Sequence, residues 1–159
     1  MKKYLMALVG CIMVAGCSST QPPEQFTDLP LSETELLAPK WQNLQRITAL
    51  YPVEHARAGH DGCATIEYVI TPDYQVTTIK TIDADSRFFA EEATRAITRW
   101  NWSDLTPGKL TEPVKTRTRF EFCLESSEGR CVESQLQQER QCRGADVLFA
   151  VGHLRVRTR

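Results

Sequence analysis

The sequence predicts an α+β fold: a three-stranded antiparallel sheet packed on one helix in the order β-β-α-β, with a helix in front and an extension behind. Three observations predict it. Residues 63–70 and 114–124 alternate between apolar and polar side chains, the period of a half-buried strand. Residues 87–100 repeat apolar side chains at helical spacing. Turn sequences, Thr71-Pro72-Asp73-Tyr74 and Pro107-Gly108, separate these segments. One helix laid on a small sheet buries both apolar faces in two layers.

The elements follow in chain order. Ser32-Glu33-Thr34-Glu35 has the form of a capping box and predicts a short helical turn. Pro39 closes that turn and opens a helix in which Trp41, Leu44, Ile47 and Leu50 share one face; Tyr51-Pro52 ends it. Gly59-His60-Asp61-Gly62 is a turn. In the first strand Ala64, Ile66, Tyr68 and Ile70 face one way and Cys63, Thr65 and Glu67 the other. Val76 to Ile82 is a second strand with poorer alternation. Asp85 or Ser86 caps a helix from Arg87 to Trp100, with Phe89, Ala93, Ala96, Ile97 and Trp100 as its apolar stripe. In the third strand Val114, Thr116, Thr118, Phe120, Phe122 and Leu124 face the core, and Lys115, Arg117, Arg119, Glu121 and Cys123 face away.

The N-terminus reads as an export signal. Lys2 and Lys3 precede an apolar run from Leu5 to Val14, which is too short to span a bilayer. Val14-Ala15-Gly16-Cys17 follows the pattern of a lipoprotein processing site, with Cys17 as the lipidated residue. Several acyl chains, palmitate among them, anchor a protein stably where one does not. The organisation expected is therefore a signal peptide at 1–16, a lipidated tether at 17–40, a domain at 41–124 and an extension at 125–159. Ser18 beside the lipidated cysteine fits the outer membrane, with the chain facing the periplasm.

The chain of 159 residues carries 19 basic and 20 acidic residues, and loss of Lys2 and Lys3 with the signal leaves a mild negative excess. That balance gives no reason to expect nucleic acid. Four cysteines remain beyond the signal and the lipid site: Cys63, Cys123, Cys131 and Cys142. An even number in an oxidising compartment predicts two disulfides, and four cysteines allow three pairings. Their spacing has no C-x-x-C element, so no zinc or other metal site is expected, and no cofactor. His55, His60 and Asp61 lie close together, and a hydrolase built on His60 and Asp61 is the weakest of the functional readings because it lacks a third group and a cleft. Trp100 and Trp102 read as core and loop anchors.

Residues 51–124 resemble the C-terminal domain of TonB, the periplasmic energy transducer. The resemblance is carried by Tyr51-Pro52, Ala56, Gly59, Gly62, the Ile66–Ile70 strand, Val76, Phe88 or Phe89, Ala93, Ile97, Trp100, Trp102, Gly108, Pro113 and Phe120-Glu121-Phe122, and it covers roughly half of the chain. It implies that the first strand is central and that the third is an edge. That edge accepts an extended segment of an outer-membrane receptor as an added strand, with main-chain hydrogen bonds giving affinity. The partner-binding edge residues would be Lys115, Arg117, Thr118, Arg119 and Glu121, with the cations guarding against indiscriminate pairing. An open edge also admits a strand-exchanged homodimer.

Three departures set this chain apart from a transducer. It has a lipid site in place of an inner-membrane helix. Its tether from Cys17 to Trp41 reaches roughly 80 Å at most. Tyr74 stands in the hairpin where the family places Gly. The resemblance therefore implies a periplasmic protein-binding lipoprotein linked to TonB-type transport, with a structural envelope-assembly role as the alternative.

Under the implied sheet order Cys63 starts one strand and Cys123 ends its neighbour. This pairs Cys63 with Cys123 and leaves Cys131 for Cys142. In the extension, Val132 to Arg140 predicts a short polar helix. Val147 to Val151, a turn at Gly152-His153 and the alternating Leu154 to Arg159 predict a hairpin that packs on the domain or covers an edge. Arg155, Arg157 and Arg159 would share one solvated face.

Overall fold

The structure is a computed structural model that describes residue 26 and residues 28–125, 131–132 and 141–153. The signal, Cys17, the polar helix expected from Val132 to Arg140, and Leu154 to Arg159 lie outside the described residues, apart from Val132.

Five strands form one mixed sheet: β1 (Leu31–Ser32), β2 (Gly62–Ile70), β3 (Val76–Ala84), β4 (Val114–Glu125) and β5 (Val147–His153). Among the described residues two α-helices accompany them, α1 (Val53–Ala58) and α2 (Arg87–Thr98). The antiparallel centre is β3-β2-β4, with the first predicted strand in the middle as the resemblance implies. β2 is buried along both faces rather than one, since α2 covers the side of Ala64, Ile66 and Tyr68 while residues 142–143 of the extension lie over Cys63 and Thr65. Ser86 caps α2, its hydroxyl accepting from the Phe89 amide. Asp85 instead accepts from the Cys63 amide at 2.8 Å. Tyr68, Phe89, Ile97, Phe120 and Phe122 form the centre of the core.

The helix expected from Pro39 to Leu50 is not there. Glu35–Leu37 and Pro39–Trp41 are 3-10 turns, and after a turn at 42–43 the chain runs without regular secondary structure to Pro52. Trp41 and Leu44 are buried, but Ile47 is 51% and Leu50 65% exposed, so the spacing of three did not mark one buried face. What holds this segment is tertiary: its carbonyls at Gln45 and Ile47 accept from the Asn101 amide and the Trp100 indole. Residues 31–40, expected as the end of the tether, are packed into the fold from β1 onward through Leu36.

Tyr74 does sit in the left-handed region, at φ 59°. The cost of about 1 kcal/mol or more for a side chain there is offset locally. Its hydroxyl donates to the Thr106 carbonyl at 2.7 Å, and its ring meets Trp41 edge-on at 6.1 Å.

The candidate protein-docking edge

Strand β4 is the third strand of the β-β-α-β core, and its outer side is the edge expected to be open. It is filled by the chain's own ends. Leu31 and Ser32 pair in parallel with Lys115 and Thr116. Val147 to His153 pair in parallel with Arg119 to Glu125. The predicted hairpin in the extension is, within the described residues, a single strand that continues through Gly152 and His153.

The predicted edge residues are correspondingly engaged. Lys115 is paired with Leu31. Arg117 Nε lies 2.9 Å from Glu67 Oε2, with Glu33 at 3.5 Å from its Nη1. Arg119 Nε lies 3.1 Å from Glu121 Oε1, and Arg119 Nη1 donates to the Cys142 carbonyl at 3.1 Å. Thr118 and Glu121 are fully buried. Free guard charges on an open edge are thus replaced by pairs that fasten the covering segments.

The strongest of these fastenings centres on Asp146, the residue before β5. Its carboxylate is fully buried and both oxygens meet Arg46 Nη1, at 2.7 and 2.8 Å. Thr118 donates its one hydroxyl proton to Asp146 Oδ2 at 2.7 Å, so Tyr68, whose Oη lies 2.9 Å from Thr118 Oγ1, donates to that hydroxyl. The Arg119 amide donates to the Asp146 carbonyl at 2.8 Å. Burial pushes the Tyr68 phenol far above its ordinary range, and the Asp146 charge acts in the same direction. A buried charge is tolerated only when paired and hydrogen-bonded, and this network meets that condition. Asp146 and Arg46 were not identifiable from the sequence as partners: nothing local links two residues separated by 100 positions.

The disulfides are Cys63–Cys142 and Cys123–Cys131. This corrects the pairing of Cys63 with Cys123. The register explains it: Cys63 faces Glu121 and Gly62 faces Phe122, so Cys123 lies two places beyond the partner of Cys63. Cys142 reaches Cys63 from the extension across the sheet face opposite α2. An Asp85 oxygen lies with the Cys63 and Cys142 sulfurs within 4.8 Å, but the two sulfurs are bonded to each other.

Tyr51 and the Leu124 amide hold the turn at His60 and Asp61. The His60 carbonyl accepts from Tyr51 Oη at 2.6 Å, and Asp61 Oδ1 accepts from Tyr51 at 3.2 Å and from the Leu124 amide at 2.8 Å. His55 Nε2 meets Ser86 Oγ at 2.6 Å, but this hydroxyl also caps α2, and the His55 ring stacks on Phe89 at 4.2 Å. Trp100 and Trp102 are buried, their indoles donating to the Ile47 and Ile97 carbonyls. Among the described residues no helix is long and apolar enough to cross a membrane.

Comparison with known proteins places the core. No curated protein matches the chain. A solution structure of the TonB C-terminal domain of Pseudomonas aeruginosa matches at 22% identity and a TM-score of 0.43, covering 52% of this chain and 85% of that one. Residues 48–124, which hold α1, β2, β3, α2 and β4 but neither β1 nor β5, match the family model for the Gram-negative bacterial TonB protein C-terminal. That segment belongs to the TonB C-terminal family.

Proposed function

We propose that this chain is a periplasmic protein-binding lipoprotein, anchored through Cys17 at the outer membrane, that takes an extended segment of an outer-membrane receptor at β4 and serves TonB-type transport. The observation that carries the reading is the acceptor character of β4. Its outer edge takes added parallel strands, and two segments from opposite ends of the chain already use it. Backbone groups that pair with one extended chain pair with another of suitable side chains. The partner segment exchanges with β5, whose hinge remains clamped by Asp146 and the Cys63–Cys142 disulfide. The role is binding rather than chemistry. A structural envelope-assembly role is the second reading, favoured by the same edge being filled in the free chain.

Photo-crosslinking in cells from Arg117, at the junction between the β1 and β5 ladders, tests the proposal. Capture of the N-terminal segment of an outer-membrane receptor supports transport. Capture of a different, identified envelope protein supports assembly. A folded, localised chain that captures nothing rules out β4 as the interface.

A further inference from the structure

β5 is anchored unevenly. Before it, residues 142–146 are clamped by a disulfide, by the Asp146 network, and by Thr65 Oγ1 donating to the Arg143 carbonyl at 2.9 Å. Along it, the inward positions hold progressively smaller residues: Leu148, Ala150 and Gly152, the last two buried. Gly152 lies in register with Leu124, against Tyr51. A Cβ at this position would sit 2.6 Å from Tyr51 Cγ and 3.0 Å from Leu124 Cδ1. Cγ is the root of the ring, and the ring is fixed. Its hydroxyl donates to the His60 carbonyl, and its edge contacts to Phe89 and Phe122 span 6.1 Å each. Tyr51 is therefore a wall across the end of the β4 edge that moving one flexible side chain does not remove.

We infer that Tyr51 acts as a size filter on this edge. The partner segment is an extended strand, parallel to β4, with glycine where Gly152 lies, a small residue where Ala150 lies and an apolar residue where Leu148 lies. This rests on the proposed exchange at β4, and names the chemistry of the segment that exchanges. Because β5 is tethered by its clamped hinge, it competes at high effective concentration, and the wild-type edge is masked until a better-fitting segment arrives.

The test uses the full chain carrying Gly152→Val, which expels its own β5, and two fluorescent peptides. One has the sequence of residues 147–153; the other has valine in place of Gly152. The glycine peptide should bind the variant at least about tenfold more tightly than it binds the wild type. The valine peptide should bind the variant at least about tenfold more weakly than the glycine peptide does. Adding Tyr51→Ala should bring the valine peptide to within roughly threefold of the glycine peptide. The variant's own β5, carrying Gly152→Val, then docks again and weakens both peptides alike, so circular dichroism rather than peptide binding reports that the double variant is folded. In the wild-type chain, excess glycine peptide should speed hydrogen exchange at the Ala150 and Val151 amides, while the valine peptide leaves it unchanged; this readout stands even where the variants fold poorly. Equal binding of both peptides overturns the filter and leaves the exchange reading intact. A folded Gly152→Val chain with exposed β5 amides that binds neither peptide overturns both.

Discussion

Asp146 is the residue on which the extension depends most. It brings a charge into the interior and meets Arg46, Thr118 and, through Thr118, Tyr68. Truncating one member of a buried pair leaves the other charge uncompensated, which typically costs about 3–5 kcal/mol. Asp146→Ala should therefore lose several kcal/mol in chemical denaturation, with β5 amides becoming the first to exchange; an effect below about 1 kcal/mol would mean that Arg46 finds water instead. Tyr74 carries two opposed effects. Tyr74→Gly relieves the left-handed backbone but removes the Thr106 hydrogen bond and the Trp41 contact. Loss of a buried aromatic side chain, at about 3–5 kcal/mol, exceeds the backbone relief of about 1 kcal/mol. The glycine typical of the family should thus destabilise this chain, as thermal denaturation would report.

At the scale of elements, the two disulfides have different work. Cys63–Cys142 spans 79 positions and fastens the extension across the central strand; Cys123–Cys131 spans 8 and ties the end of β4 to Cys131. In the chain-entropy model the long closure contributes about 4 kcal/mol and the short one about 2–3 kcal/mol. Replacing Cys63 and Cys142 together with serine should lower stability more than replacing Cys123 and Cys131, and should raise β5 exchange selectively. The reverse order would show that the short loop carries the fold. β1 is held by a different device. Glu35 accepts from the Trp41 indole at 2.9 Å, pairs with Lys40 and accepts from Ser32 Oγ at 3.3 Å. Burial raises its pKa, but hydrogen bonds from Lys40, Trp41 and Ser32 outweigh it and hold the carboxyl below the ordinary value. A depressed folded-state pKa gives stability that is complete above the ordinary carboxylate pKa and is lost as pH falls through the folded value. Glu35→Gln should flatten that acid limb of the stability curve; an unchanged limb would place the acid sensitivity elsewhere.

For the whole molecule, the notable feature is closure of one sheet edge by segments from before and after the core, with β3, among the described residues, the outer strand at the other. β3 is irregular: its register with β2 shifts twice, and Thr78 takes a positive φ of 50°. Such bulges blunt an edge against indiscriminate pairing. Much of the core was legible in the residue order. The alternation of β2 and β4, the stripe and cap of α2, and the turns between them depend on neighbours a few places apart, and local periodicity records those directly. The same periodicity misled at Trp41 to Leu50, where a helix-like spacing belongs to a largely irregular segment held by Trp100 and Asn101. Of the candidate edge, the strand itself was legible, and the identity of the segments that cover it was not. The extension was expected to pack on the domain or cover an edge, but the strand that does so, its parallel sense and its cysteine partners were hidden. Pairing between β4 and β5, between Arg46 and Asp146, or between Cys63 and Cys142 joins residues far apart in sequence, and only the folded register brings them together. Composition and local pattern thus reveal which segments can form strands and helices. Which strand lies beside which, and so whether an edge is open or filled, follows from long-range packing that no local pattern encodes.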